Sequence, residues 1–378
     1  MEYRTLGKTG LDVSVISLGT EYLINRPQQH IVDVIHHAIS NGVNYFDLFF
    51  AQPEFRENMH VAFQNCRDKA IFAAHLGAAA DSSGQYMRIR DPQQCEYFFL
   101  DFLARYQTEF ADILFLHNSD TQDDYDELMK PGGLLDMAKR FRAEGKTRFI
   151  GFSGHNTITS RQAVESGEID VLLFPINFTN HVMPGREALF KACVRHQVGL
   201  VAMKPYAGGN LLREEREFEA NSYISGSAQM ANASAKFVKS APITPVQCLA
   251  YILEQTGVAC VVPGCANIEH LDAALAYLNA SAQQKAYAAL LPDFKQYNTG
   301  RCVHCNHCLP CPSNVDIGET LRLFQLAQQE LNSEVRAAYC ALPANASDCI
   351  ECGVCMERCP FGVNVIAQMK ETSQLLAA

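Results

Sequence analysis

The fold is decided by residues 43–75, which read VNYFDLFFAQPEFRENMHVAFQNCRDKAIFAAH. The pattern predicts a buried strand at 43–47, a helix at 56–65 and a second buried strand at 70–75. A strand, a helix and a strand in this order form a unit whose two strands run parallel. Both strands are mainly apolar, which is typical of parallel strands that are covered on both faces.

The same alternation continues through the first 290 residues. Eight parallel strands with intervening helices, at this length, predict an α/β fold of the (β/α)₈ TIM barrel type. A doubly wound open sheet is the alternative, but no Gly-x-Gly-x-x-Gly follows the first strand. The predicted strands are 15–19, 43–47, 70–75, 113–117, 147–152, 171–174, 198–203 and 259–262, and the predicted helices are 31–41, 56–65, 95–106, 134–144, 187–196, 245–255 and 268–278.

The chain has 378 residues, of which 48% are hydrophobic and 19% charged, and its net charge is −10. This composition supports a sizeable core and excludes a disordered chain, and the acidic balance argues against nucleic acid as a partner. No stretch approaches 18 consecutive apolar residues, so we expect no membrane span. Residues 1–4 lack the apolar region of a signal peptide. With the cysteines described next, this predicts a cytoplasmic protein.

The chain contains fifteen cysteines, and nine of them lie between Cys302 and Cys359. In a chain of this length without a signal peptide they predict metal ligands rather than disulfides. The change in composition predicts a domain boundary near residue 298, where Asn298-Thr299-Gly300 also indicates a turn. We therefore divide the chain into a barrel domain at residues 1–290 and a small C-terminal domain at residues 291–378.

Two cysteine runs characterise the C-terminal domain. Residues 349–360 have the spacing C-x₂-C-x₂-C-x₃-C-P, which is typical of bacterial two-cluster ferredoxins, and residues 302–312 repeat it with two residues before the last cysteine. In this motif the fourth cysteine of each run binds the other cluster. The spacing therefore predicts two [4Fe-4S] clusters, one held by Cys302, Cys305, Cys308 and Cys359 and the other by Cys349, Cys352, Cys355 and Cys311.

A pair of zinc sites is the alternative, because His304 and His307 lie within the first run. Neither assignment uses Cys340 as a ligand. Residues 317–339, between the runs, predict a helix because apolar residues recur there near a period of 3.6. The C-terminal domain is thus predicted to be small, ferredoxin-like and α-rich.

Polar residues stand at the ends of three successive predicted strands. Asp47, His75 and His117 close the second, third and fourth strands. Active sites of (β/α)₈ barrels lie at the carboxyl ends of the strands. The three residues therefore predict an active site in which the histidines act as acid–base groups and Asp47 orients His75.

Short motifs along the barrel also match a known family. YRTLGKTGL at residues 3–11 looks like an N-terminal hairpin, and NYFD at 44–47, LH at 116–117, IGFS at 150–153, MKP at 203–205 and VPG at 262–264 follow at strand ends. Together these motifs resemble the aldo-keto reductase family. The cysteine-rich end resembles the iron–sulfur branch of that family, in which a ferredoxin-like domain follows the barrel.

The resemblance implies an active site built from Asp, Tyr, Lys and His, in which the Tyr donates a proton to a carbonyl oxygen as hydride arrives from NAD(P)H. Asp47 and His117 match the Asp and the His. Gln52 stands near the place of the Tyr, and His75 replaces the Lys. An amide has no acidic proton near pH 7, whereas histidine titrates there, so His75 is predicted to be the replacement acid–base group.

The resemblance also implies contacts to a nicotinamide dinucleotide. The Gln that the family often carries on the sixth strand is replaced by Leu172-Leu173-Phe174. His270 is the nearest cation candidate for a 2′-phosphate. Binding of NAD(P)H stays open, and its predicted contacts are Ser153, Asn177, Lys204, Gly264 and His270.

The favoured prediction is an oxidoreductase of the aldo-keto reductase type. It reduces or oxidises a small organic substrate at the barrel mouth, with electrons relayed through two [4Fe-4S] clusters. One alternative is a conventional NAD(P)H-dependent carbonyl reductase with a rebuilt tetrad, and the other is a non-catalytic electron-transfer or docking partner. A small-molecule substrate and a redox protein are the expected partners, while the sequence leaves the substrate and the oligomeric state open.

Overall fold

Two units make up the part of the chain that the structure describes. The structure is a computed structural model, and it describes residues 1–213, 216–218, 236–238, 243–294, 300, 302–329 and 331–376. The first unit comprises Met1–Asn177, Met183–Pro205 and Val246–Ala289, and the second comprises Phe178–Val182, Tyr206–Pro245 and Leu290–Ala378. The boundary predicted near residue 298 falls in the stretch 295–299, which lies outside the described residues.

Strands occur mainly in the first unit. Within the described residues they are β1 (Tyr3–Thr5), β2 (Asp12–Ser14), β3 (Leu18–Gly19), β4 (Tyr45–Leu48), β5 (Ile71–Leu76), β6 (Ala78–Ala80), β7 (Tyr86–Arg88), β8 (Ala111–Leu116), β9 (Thr147–Ser153), β10 (Val171–Pro175), β11 (Gly199–Met203), β12 (Arg216–Phe218), β13 (Lys236–Val238) and β14 (Val258–Val262).

Helices follow most strands of the first unit and dominate the end of the second. Among the described residues, no helix combines the length and apolar character needed to traverse a bilayer. The α-helices are α1 (Gln28–Ser40), α2 (Pro53–Phe63), α3 (Pro92–Arg105), α4 (Gln122–Met129), α5 (Leu134–Ala143), α6 (Thr157–Glu165), α7 (Arg186–Arg195), α8 (Pro245–Leu253), α9 (Ile268–Leu275), α10 (Ala282–Lys285), α11 (Ile317–Gln329), α12 (Ser333–Cys340), α13 (Val354–Arg358) and α14 (Val365–Leu376).

Eight of the described strands form one parallel sheet in the order β14-β11-β10-β9-β8-β5-β4-β3. Two further parallel bridges, Ile16 with Val261 and Gly19 with Gly264, join the first strand of this sheet to the last. The sheet therefore closes into the predicted (β/α)₈ barrel, and the open doubly wound sheet is excluded. The N-terminal hairpin is confirmed, since β1 pairs antiparallel with β2.

Large apolar side chains fill the barrel. Tyr45, Phe115 and Leu173 come from different strands and belong to one buried cluster. Gly151 makes room for this packing, because a Cβ at that position would lie 2.3 Å from the ring of Phe115. The interior is thus a packed core rather than a pore, which leaves the ends of the strands for chemistry.

The helix predicted at 317–339 is wrong in its extent. The structure places two helices there, α11 and α12, and Leu331 between them is 41% exposed. The Asn332 side chain accepts a hydrogen bond from the Val335 N–H at 3.0 Å. An asparagine in this position caps a helix N-terminus, so it begins a new helix rather than continuing the first.

The sequence pattern also missed three elements of the first unit. Helices α4 and α6 follow strands β8 and β9, and the antiparallel hairpin β6–β7 lies between β5 and α3. The hairpin matters most, because it lies at the carboxyl end of β5, where the predicted active-site residues are found.

Candidate active site and metal centre

Asp47, His75 and His117 lie at the carboxyl ends of neighbouring strands. Strand β4 pairs with β5, and β5 pairs with β8, so these strand ends meet at one edge of the barrel. All three residues are buried, with exposed fractions of 6%, 7% and 2%. The structure therefore brings together the three residues that the sequence analysis singled out.

The three side chains form a continuous hydrogen-bonded chain. Asp47 Oδ1 lies 2.8 Å from His75 Nε2, and His75 Nδ1 lies 2.8 Å from His117 Nδ1. A neutral imidazole carries one N–H donor and one acceptor nitrogen. With Asp47 ionised, His75 donates from Nε2 and accepts the Nδ1–H of His117. This placement of the protons follows from the bonding pattern.

Tyr86 is a fourth member of this chain, and the sequence analysis missed it. Its hydroxyl lies 2.6 Å from His117 Nε2, and the residue is 2% exposed. Tyr86 begins β7 of the inserted hairpin. The signal that could have revealed the hairpin is the turn-forming stretch Asp81-Ser82-Ser83-Gly84 between two short segments. The hairpin was missed because its strands are only three residues long.

Polar contacts fix the hairpin against the barrel. Arg90 donates from Nη2 to the carbonyl oxygens of His117 and Asn118, both at 2.9 Å, and pairs with Asp124 at 2.7 Å. On the other side, Gln52 Nε2 donates to the carbonyl oxygen of Gly84 at 2.6 Å. Gln52, which stands near the place of the family's Tyr, therefore holds the turn of the hairpin.

Aromatic rings surround the histidines. The Phe49 ring lies 5.9 Å from the His117 ring and nearly parallel to it, 5.8 Å from the His75 ring and 5.9 Å from the Tyr86 ring. Burial lowers the pKa of His117 well below its usual 6.5, and the neighbouring His75 and Arg90 lower it further. His117 is therefore neutral at pH 7 and carries a single ring proton.

A partly buried carboxyl group lies near the last strand of the barrel. Burial raises the pKa of Glu21, and the charge of Lys204 opposes that rise. A Cβ at Gly264 would lie 2.7 Å from Glu21 Oε1 and 2.6 Å from the ring of Tyr22. A pyrophosphate is bound by N–H groups and cations. Beside Gly264 the structure therefore places one carboxyl group whose pKa is raised, with the cation of Lys204 acting on it.

The other predicted dinucleotide contacts already make internal hydrogen bonds. Asn177 Nδ2 donates to the carbonyl oxygen of Lys204 at 2.8 Å. Ser153 is buried at the end of β9, where its carbonyl oxygen accepts the Ser119 N–H. His270 is exposed in the first turn of α9, and its Nδ1 accepts the Ala266 N–H at 3.4 Å. A nicotinamide site at these residues stays a prediction.

In the second unit, the two cysteine runs share one backbone pattern. His304 and Glu351 precede the second cysteine of their runs, and both have left-handed φ values, 54° and 56°. Asn306 and Gly353 follow that cysteine, with φ values of 59° and 82°. Two left-handed residues around one cysteine turn each loop tightly. Each turn lets the first three thiols of its run converge on one point.

Two cavities lie inside these loops. Among their lining residues are eight of the cysteines, and neither cavity is lined by the exposed Cys340. The first cavity takes the first three thiols of the first run and the last thiol of the second run. The other cavity takes the first three thiols of the second run and the last two thiols of the first run, so that Cys308 lines both cavities. The cysteines of the first cavity are Cys302, Cys305, Cys308 and Cys359, and those of the second are Cys308, Cys311, Cys349, Cys352 and Cys355.

The donor set of these cavities fits an iron–sulfur cluster. Burial raises the pKa of Cys302 to about 12, and the adjacent thiols Cys305 and Cys359 raise it further. Thiolates packed this closely need a compensating positive charge, which iron provides. Among the described residues, no three His, Cys, Asp or Glu side chains are arranged to hold a single metal ion. The eight thiols that line the two cavities match the number of ligands that two [4Fe-4S] clusters require.

Comparisons with known proteins agree with this two-part arrangement. Residues 15–290 match the family described as Aldo/keto reductase family, and residues 301–364 match the family described as 4Fe-4S dicluster domain. The second match favours iron–sulfur ligation over the alternative of zinc sites.

Relatives with similar sequences include two named oxidoreductases. The chain is 26% identical over 294 residues to the uncharacterized oxidoreductase YqkF of Bacillus subtilis, covering 74% of this chain and 92% of that protein. It is 24% identical over 316 residues to the probable aldo-keto reductase 1 of Glycine max, covering 74% and 85%. The solved structure of aldo-keto reductase AKR11C1 from Bacillus halodurans in its holo form has a TM-score of 0.59 at 18% identity, covering 79% and 97%, and shows a similar fold.

Proposed function

We propose a redox function for this chain, which belongs to the aldo/keto reductase family and carries a 4Fe-4S dicluster domain. In this proposal it reduces or oxidises a small organic substrate at the barrel mouth with electrons from two [4Fe-4S] clusters. The observation that carries the proposal is the buried hydrogen-bonded chain of Asp47, His75 and His117. Acid–base groups at the carboxyl ends of barrel strands are where such barrels perform catalysis.

Eight thiols of the two cysteine runs divide into two ligand sets in this proposal. When bound, each cluster takes up and returns a single electron. The composition of the two cavities supports the exchange of the fourth ligand between the runs. The ligands of one cluster are Cys302, Cys305, Cys308 and Cys359, and those of the other are Cys349, Cys352, Cys355 and Cys311.

The residues of the barrel supply the proton chemistry. Reduction of a carbonyl group to an alcohol consumes two electrons and two protons. One proton reaches the carbonyl oxygen from the chain that contains His75 and His117, and the other comes from water. Asp47 holds the Nε2–H of His75 and stabilises the imidazolium that forms when His75 takes up a further proton.

A one-electron donor must reduce the clusters again after each turnover. A redox protein is the class of donor that fits, because the net charge of −10 favours association with a basic docking face. NAD(P)H is the alternative source of electrons for this family. A direct comparison of the two sources of electrons decides between them.

The experiment uses protein purified without oxygen and reduced with dithionite, with the excess removed. We expect about eight iron and eight sulfide atoms per chain, because two cubanes are predicted. A panel of aldehydes and ketones is then added while the visible absorbance of the clusters is followed. Reoxidation of the clusters with one alcohol formed per two electrons supports the proposal.

The same panel is tested with NADH or NADPH and no other reductant. Rapid oxidation of the nicotinamide, with no change in the visible absorbance of the clusters, contradicts the proposal and favours the conventional reductase. Clusters that accept electrons but are reoxidised by no compound of the panel favour the electron-transfer partner. Zinc in stoichiometric amount without iron contradicts the cluster assignment itself.

A further inference from the structure

The Tyr86 hydroxyl extends the buried acid–base chain to four groups. Asp47, His75, His117 and Tyr86 follow one another at 2.8, 2.8 and 2.6 Å, and each contact joins atoms that can donate or accept a proton. The first three groups come from barrel strand ends and the fourth comes from the inserted hairpin. Each imidazole uses both of its nitrogens within the chain, so a proton held on His75 can pass through His117 to the Tyr86 hydroxyl.

The chain has two complete hydrogen-bonding patterns that differ by one proton. In the first, Tyr86 donates to His117 Nε2, His117 donates from Nδ1 to His75, and His75 donates from Nε2 to ionised Asp47. In the second, His75 carries protons on both nitrogens and donates to Asp47 and to His117 Nδ1. His117 then donates from Nε2 to the Tyr86 oxygen, and the phenolic proton is released for another acceptor.

We propose that these four groups form a proton wire and that Tyr86 is its terminal donor, which delivers the proton to the oxygen of the bound substrate. The proposal rests on the proposed function, since it names the residue that touches the substrate in that reaction. The bonds balance along the wire. The Tyr86 O–H breaks as the substrate O–H forms, His117 Nε2 gives its proton to Tyr86, and His75 Nδ1 gives its proton to His117. His75 ends neutral and still donates to Asp47.

The hairpin explains why the tyrosine stands here. Gln52, which cannot act as a general acid, holds the turn at Gly84, and Arg90 holds the other end of the hairpin at the His117 carbonyl oxygen. These two contacts position the strand that carries Tyr86. Phe49 is the partly exposed ring that contacts His75, His117 and Tyr86, so a substrate approaches the phenol along this ring.

The first test compares Tyr86→Phe with Tyr45→Phe. Both variants lose one buried hydroxyl, but the Tyr45 hydroxyl makes no hydrogen bond among the described residues. In the cluster-reoxidation assay we expect Tyr86→Phe to lower the rate of carbonyl reduction about 10²–10⁴-fold, the usual contribution of a general acid. We expect Tyr45→Phe to match the wild type, and the cluster spectra of all three proteins to be the same. Equal rates in the two variants overturn the proposal.

The second test needs no substrate. Long-range ¹H–¹⁵N spectra of ¹⁵N-histidine-labelled holoprotein report which ring nitrogens carry protons. We expect two forms: in one His117 carries its proton on Nδ1 and His75 is protonated on Nε2 alone, and in the other His117 carries its proton on Nε2 and His75 is protonated on both nitrogens. In Tyr86→Phe we expect the form with the proton on His117 Nε2 to be less populated, because that N–H loses its acceptor.

The charged groups that face these histidines are Asp47 from β4, Arg88 and Arg90 from the hairpin, and His155 after β9. They are unchanged in both variants, so a shift confined to Tyr86→Phe reports on the hydroxyl. If the His117 proton stays on the same nitrogen at every pH measured, the proposal of a proton wire is wrong. If the wild type reduces no carbonyl compound, the proposed function fails, and the spectra alone decide whether the wire exists.

Discussion

At the scale of single residues, the replacement of a lysine by His75 changes what the site can do. A lysine keeps its charge at pH 7, whereas a histidine has two nitrogens and can pass a proton between two partners. The structure gives His75 both partners, Asp47 on Nε2 and His117 on Nδ1. A lysine at this position has three donors and no acceptor, so it interrupts the chain.

The first prediction concerns His75 itself. His75→Gln should reduce carbonyl turnover by about 10²–10⁴-fold, because an amide carries no transferable proton near neutral pH. His75→Lys, which introduces the family's residue, should not restore turnover. Both variants should keep their iron and their cluster absorbance, since no cysteine is changed. Full activity in His75→Gln shows that the residue has no part in the reaction.

The second prediction concerns pH and two buried histidines. Burial lowers the pKa of His117 and of His155 in the folded chain, against the partial compensation that Asp120 gives His155. The unfolded chain therefore binds more protons as the pH falls below about 6.5, and folding stability falls with it. Each histidine contributes up to about 1.4 kcal/mol per pH unit.

Urea unfolding followed by circular dichroism at pH 7.5 and at pH 5.5 measures this loss. His155→Asn should reduce the pH dependence, because one of the two buried groups is removed. His270→Gln changes an exposed histidine and should leave the pH dependence as it is in the wild type. A midpoint that is the same at both pH values contradicts the prediction.

At the scale of secondary-structure elements, helix α11 lies against the first cysteine loop. A Cβ at Gly318 would lie 2.1 Å from Oδ1 of Asn306, the residue between Cys305 and Cys308. Such a distance is far inside van der Waals contact, so a side chain at Gly318 must displace the buried Asn306 amide of that loop. The glycine thus couples the start of the helix to the position of two predicted ligands.

The third prediction follows from this contact. Gly318→Ala should lower the iron content by up to about four atoms per chain, because the loop of one predicted cluster no longer fits. Asn306→Gly in the same chain removes the clashing side chain, and glycine accepts the left-handed backbone at that position, so the double variant should regain its iron. Iron analysis and visible absorbance measure both effects. An unchanged iron content in Gly318→Ala shows that the loop accommodates the added methyl group and still binds its cluster.

At the scale of the whole molecule, the second unit combines ligands from the two ends of its sequence. Cys359 lines the cavity of the first run, and Cys311 lines the cavity of the second. This exchange ties residues about 50 positions apart into each proposed cluster, which stabilises a unit with a small core. The clusters are thus expected to hold the fold of the unit as well as to carry electrons.

The fourth prediction tests the exchange by counting iron in double variants. If Cys359 shares a cluster with Cys305, the variant Cys305→Ser/Cys359→Ser loses one cluster and keeps about four iron atoms. Cys352→Ser/Cys359→Ser then loses both clusters and keeps almost none. If Cys305→Ser/Cys359→Ser instead keeps almost no iron and Cys352→Ser/Cys359→Ser keeps about four atoms, Cys359 binds the same cluster as Cys349, Cys352 and Cys355. Cys340→Ser, which changes the exposed cysteine outside both cavities, is the control and should keep about eight.

Sequence alone determined the features that depend on spacing along the chain. The number of alternating strands and helices predicted the barrel, and the cysteine spacing predicted the iron–sulfur character of the second unit, because strands and ligand loops are local patterns. The polar residues at the strand ends pointed to Asp47, His75 and His117, since parallel strands deliver their carboxyl ends to one edge.

Tertiary structure decided how those residues are connected. The contact of Tyr86 with His117 joins residues 31 positions apart through a hairpin whose strands are too short to show a period. Which nitrogen of His75 faces Asp47 depends on the pairing of β4, β5 and β8. The break between α11 and α12 depends on one capping side chain. These features arise from hydrogen bonds between distant segments, whose geometry is set only when the barrel closes and the hairpin packs on it.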